Sequence, residues 1–117
     1  MPVRVVFSKM ALDDLDDIWA FYAIDCDSPK AAERTVQGVL DSLDRLSDLP
    51  ESGTPLDSRC IVHSDYRFVV SGHHLAFYRH VDDCVYIDRV LDGRSDYLRQ
   101  LFGLPDSGID FYVQPSS

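Results

Sequence analysis

"YRFVVSGHHLAFYRHVDDCVYIDRVLDGRSDYLRQLF" runs from Tyr66 to Phe102 and contains most of a sheet. Residues 66–70, 74–81 and 84–91 are rich in β-branched and aromatic side chains, and each has strand length. Ser71-Gly72 and Asp82-Asp83 separate them, which are hairpin-turn lengths and turn residues. Consecutive hairpins predict an antiparallel meander. After Leu91 the pattern changes: Asp92-Gly93 turns the chain and Ser95 stands where a helix N-cap belongs. A last helix is expected from about Asp96 to Phe102, anchored by Tyr97, Leu98, Leu101 and Phe102 and stopped by Gly103 and Pro105.

Upstream the period is helical. "ESGTPLDS", from Glu51 to Ser58, is loop chemistry. Before it, Ser28 and Pro29 fit the N-cap and N1 positions of a helix. Ala32, Val36, Val39, Leu40, Leu43 and Leu46 recur along that helix at helical spacing, and Leu49-Pro50 ends it. An earlier helix follows the N-cap Ser8, with Ala11, Leu12, Leu15, Ile18, Trp19 and Tyr22 on one stripe. Asp13, Asp14, Asp16 and Asp17 fall off that stripe and are expected on a solvated face. "VRVVF", from Val3 to Phe7, is a first short strand. The order is β-α-α-β-β-β-α. It predicts an α+β fold in which an antiparallel sheet packs on a helical hairpin. The core is expected to set Leu12, Leu15, Trp19, Val36, Leu40 and Leu43 against Phe68, Phe77 and Ile87. Residues 1–103 form one domain, and residues 104–117 form a C-terminal tail.

The 117 residues are 45% hydrophobic and 26% charged, an ordinary balance for a packed domain. No apolar run is long enough to span a membrane, and "MPVRVVFSKM" has no signal-peptide pattern, so a cytoplasmic location is expected. Cys26, Cys60 and Cys84 are widely spaced and make neither a zinc spacing nor a disulfide framework. No metal or cofactor is implied. Residues 1–57 carry 12 acids and 5 bases, a balance of −7, and residues 58–117 carry 8 acids and 6 bases, a balance of −2. All six bases of the second part are arginines, so any contact with phosphate or carboxylate rests on a local arginine cluster rather than on bulk charge.

Arg67 opens the second strand, Arg89 lies near the end of the last, and Arg94 follows at the strand-to-helix junction. Each has an acidic neighbour that offers a plain surface ion pair instead: Asp65, Asp88, Asp92 or Asp96. His73 and His74 sit at a hairpin turn. Adjacent strand residues point to opposite faces, so the two cannot easily share a metal. Tyr66, Tyr78, Tyr86 and Tyr97 carry stacking surface, but most such tyrosines are core edges with a wet hydroxyl.

The order of these pieces resembles the RelE/ParE superfamily of bacterial toxin–antitoxin toxins. The residues that carry the resemblance are Ser8 and Ala11, Pro29 and Ala32, then Leu46, Pro50 and Gly53. Tyr66-Arg67, Phe77-Tyr78-Arg79, Val90-Leu91, Gly93-Arg94 and Asp96 complete them, so the match spans residues 3–102. The resemblance implies a growth-arresting toxin held inactive by a cognate antitoxin. The "VLDGRSD" ending is more similar to the ParE branch, which implies inhibition of DNA gyrase. The alternative is RelE-like cleavage of mRNA on the ribosome, for which Arg67, Arg94, His74 and Tyr97 are the implied catalytic residues. A further alternative is a member that has lost activity and only binds protein. On any of these readings Arg67, Arg79, Arg89, Arg94 and Arg99 are the expected contacts to target or antitoxin.

Overall fold

The computed structural model describes residues 2–58 and 64–102. Arg59, Cys60, His63 and the expected tail lie outside the described residues. β1 (Arg4–Phe7) leads into α1 (Lys9–Ala20), and α2 (Pro29–Asp44) follows. β2 (Thr54–Pro55), β3 (Arg67–Ser71), β4 (His74–Val81), β5 (Cys84–Asp92) and α3 (Tyr97–Phe102) complete the chain.

The helix starts follow their caps. The Ala11 amide donates to Ser8 Oγ at 3.0 Å, and the Ala31 amide donates to Ser28 Oγ at 3.2 Å. α1 ends in a wide π-type turn, Phe21–Asp25, and Asp27 then turns the chain at a φ of 51°. The third cap differs from expectation. Ser95 Oγ donates back to the Asp92 carbonyl at 2.6 Å, and the first helical carbonyl of α3 is that of Asp96.

The sheet has five strands in the order β1-β5-β4-β3-β2. β3, β4 and β5 form the expected meander, joined by turns at Gly72 (φ 60°) and Asp82 (φ 55°). The sheet is not wholly antiparallel, as the meander alone predicted. β1 runs parallel to β5, Arg4 opposite Cys84 through Phe7 opposite Ile87. Two helices and a hairpin separate them, ample chain for a parallel return. β2, a two-residue strand in the expected loop, pairs with β3.

One face of the sheet lies on the helical hairpin. Ala11, Leu15, Val39 and Leu43 meet Ala76, Tyr78, Val85, Ile87 and Val90 there. A bulge opposite Phe77 and Tyr78 inserts one residue into β5, so the inward set reads Val85, Ile87 and then Val90. Phe68 and Phe77 do not join this core. They point to the other face, where α3 covers them with Leu98. Strand alternation demands this, since Ala76 and Tyr78 already face the hairpin. Leu12 and Trp19 are also outside the core, 50% and 42% exposed. They stand seven residues apart on one border of the α1 stripe, and α2 covers the other. Gly38 marks close approach of α2 to β3, since a Cβ there would stand 3.2 Å from Ser71 Oγ.

Candidate functional site

The end of the sheet where β4 begins and β5 stops gathers three of the expected site residues or their neighbours. His74 opens β4 directly opposite Asp92, the last residue of β5. The Asp92 carboxylate accepts from the Arg94 amide at 2.8 Å, from its Nε at 3.0 Å and from its Nη2 at 2.8 Å. The Gly93 amide donates to the His73 carbonyl at 2.8 Å, which ties the junction to the neighbouring hairpin. The Arg94 fork is therefore pre-oriented, although its side chain is 69% exposed. Hydrogen bonds from Arg94 hold the Asp92 carboxyl well below the usual carboxylate range. His74 is buried, and that burial lowers its pKa from the ordinary histidine value despite nearby Asp92. The C-terminal part of α1 and the π-type turn after it supply the opposite wall. Asp17, Ile18, Phe21 and Tyr22 close a cleft of about 240 Å³ over His74, Asp92 and Arg94. Chemically this site offers an oriented cation and a neutral imidazole beside aromatic surface.

The remaining expected residues lie elsewhere. Arg67 sits opposite Tyr78, four positions along β4 from His74, about 13 Å away at strand rise. Its Nη1 donates to the Gly53 and Glu51 carbonyls at 2.9 and 3.2 Å, bracing the loop before β2. The Tyr97 ring stacks on Phe77 at 5.5 Å on the face away from the hairpin. Arg99 pairs with Asp96 at 3.3 Å. Arg79 stands 5.3 Å over the Tyr66 ring, and its Nη2 lies 3.3 Å from Asp88 Oδ2. Tyr66 donates its hydroxyl to the same oxygen at 2.5 Å. Burial, then the bond to Asp88, pushes the Tyr66 phenol up to about 12, so it stays protonated at neutral pH.

Arg89 is held inside the fold. Its Nε and Nη2 donate to the two Asp14 oxygens at 2.8 and 2.9 Å, and the Val90 amide donates to Asp14 Oδ2 at 2.9 Å. Asp14 is thus not on the solvated face expected for it. Its side chain is 11% exposed, and it shields the edge of β5 beyond the end of β1. Sequence reasoning missed this partner. A signal was present, since Asp14 lies three residues after Ala11 and four before Ile18, on the border of the apolar stripe.

Among the described residues, no group of three or more His, Cys, Asp or Glu side chains is placed to hold a metal ion. Among the same residues, no helix is long and apolar enough to cross a membrane.

Comparison with known proteins agrees with this architecture. A solved chain from the chromosomal ParDE toxin–antitoxin system of P. aeruginosa superposes with a TM-score of 0.65 at 20% identity, covering 77% of this chain and 95% of that one. At that identity the likeness establishes the fold. No curated protein matches the sequence. Residues 5–97 match the family model described as the ParE toxin of the type II toxin–antitoxin system parDE. That match runs from within β1 to the first residue of α3, including the whole Asp92–Arg94 junction, and the chain belongs to the ParE toxin family of type II toxin–antitoxin systems.

Proposed function

We propose that this toxin arrests growth by inhibiting DNA gyrase and that a cognate antitoxin neutralises it. Arg94 is the leading contact residue, acting through its oriented guanidinium, with Arg99 beside it on α3. Their side chains are 69% and 45% exposed, against 16% for Arg89. Arg67 and Arg79 are the flanking contacts.

The observation that supports gyrase over mRNA cleavage is that Arg67 and Tyr97 stand apart from the cleft shared by His74 and Arg94. Cleavage by a ribose 2′-hydroxyl needs a base, a phosphate clamp and a proton donor around one phosphodiester. Arg67 is on the far part of β4's neighbour, His74 is buried at the opposite end, and Tyr97 stacks on Phe77 on the other face. A protein that blocks its target by binding needs no such convergence.

Pulsed expression from a repressible promoter tests the reading. The expected result is loss of negative supercoiling in a reporter plasmid before bulk translation falls, reversed by co-expression of the cognate antitoxin. New mRNA 5′ ends at ribosomal positions, with normal supercoiling, would replace this reading by the ribonuclease one. Absence of both effects would leave a member that binds protein without arresting growth.

A further inference from the structure

The two edge strands of the sheet are guarded differently. β2 has two residues, and one is Pro55, which has no amide to offer a neighbour. β1 has neither device. Its even-numbered amides turn inward to β5: Arg4 donates to the Asp83 carbonyl at 3.0 Å and Ser8 to the Ile87 carbonyl at 2.9 Å. The odd-numbered amides turn outward. Val3 is the first of them, and it donates to the Ser47 carbonyl at 2.8 Å. Ser47 thus supplies one rung of a neighbouring strand. Val5 and Phe7 follow on the same edge, with no strand beside them among the described residues.

The side chains of Val5 and Phe7 floor a cleft of about 420 Å³ together with Leu40 and Leu43 of α2. Its rim is Gln37, Asp41 and Asp44, with Gln37 Nε2 donating to Asp41 Oδ1 at 2.8 Å, and no Lys or Arg lines it. Backbone groups, apolar floor and acidic rim therefore call for one kind of ligand. We propose that the outer edge of β1 takes an extended segment of a partner protein by strand addition. The segment carries an apolar side chain and a Lys or Arg two residues apart. Residues i and i+2 of an added strand rise on the same face. The apolar one covers Val5 and Phe7. The basic one lays its stem on Leu40 and brings its charge to Asp41 or Asp44. Nothing in this depends on gyrase being the target.

The probe is a seven-residue peptide, Thr-Lys-Thr-Val-Thr-Lys-Thr, titrated into the isotope-labelled full chain and followed by amide NMR. Saturable shifts of the Val5 and Phe7 amides, with slower hydrogen exchange at both, are expected. The double variant Asp41→Lys, Asp44→Lys is expected to bind about tenfold more weakly, the size of two exposed ion pairs. A peptide N-methylated at alternate amides is expected not to bind. Equal binding of the N-methylated peptide would overturn strand addition in favour of charge attraction alone. Shifts confined to other residues would overturn the location. Concentration-dependent shifts of Val5 and Phe7 without peptide would assign the edge to a second copy of this chain and overturn the partner.

Discussion

Arg89 and Arg94 stand five positions apart, and each grips an aspartate through two guanidinium nitrogens. They do different work. Arg89 reaches Asp14, 75 residues away in sequence, and its side chain is 16% exposed. Arg94 reaches Asp92, two residues away, and is 69% exposed. The first pair joins α1 to β5 across the fold and covers a sheet edge. The second pair joins nothing distant and serves to aim a cation outward. An arginine fork has the same geometry in both places, so burial and sequence separation decide how much each adds to the stability of the fold.

The largest stability effect should come from breaking the buried pair. Asp14→Ala leaves Arg89 and the Val90 amide without their acceptor, and should cost about 3 kcal/mol in urea unfolding. Replacing both partners by apolar residues, Asp14→Leu with Arg89→Met, should cost less than Asp14→Ala alone. If the single variant unfolds at the wild-type midpoint, the contrast between the two arginines fails.

A smaller loss is expected at the other end of β4. Tyr78 is fully buried, and its hydroxyl accepts from the Gly53 amide at 2.9 Å. Tyr78→Phe strands that amide and should cost about 1–2 kcal/mol by the same measurement. The Arg67 brace on the Gly53 carbonyl should remain, so the loop keeps its path.

His74 adds a pH-dependent effect at the Asp92–Arg94 end of the sheet. Burial lowers its pKa in the fold below the ordinary value, so the folded chain binds fewer protons than the unfolded chain just below about pH 6.5. Its contribution is full above that pH and is lost as the pH falls toward the folded value. Urea midpoints should therefore drop between about pH 7.5 and about pH 5, and His74→Gln should flatten the drop. Asp92 does not confuse this window. Its folded pKa is depressed, so its contribution is present above about pH 3.9 and is lost only on further acidification. An equal drop in His74→Gln would place the titration elsewhere.

The smallest stability effect belongs to Arg94→Ala, which should unfold at the wild-type midpoint because its pair is exposed and local. Its effect on growth arrest should be large.

Legibility in the sequence follows from how local each determinant is. The caps at Ser8 and Ser28, the hairpin turns and the three meander strands are short-range features, and their chemistry is readable along the chain. The parallel pairing of β1 with β5 is not, because no local pattern records which distant strand a short apolar segment joins. The face taken by Phe68 and Phe77 is not legible, because apolar residues fall on both faces of the meander and α3 buries the second one. Arg94 stood out through its place after Asp92-Gly93. The Asp14–Arg89 pair did not, since its partners are brought together only by the fold.

The most direct measurement asks whether Arg94 meets gyrase. Purified gyrase should be assayed on relaxed plasmid with the wild-type chain and with Arg94→Ala at equal concentration. Wild type is expected to block supercoiling, and Arg94→Ala, folded to the same midpoint, to do so weakly or not at all. Equal inhibition by the two chains would contradict the role of Arg94, and full supercoiling with wild type present would contradict gyrase as the target.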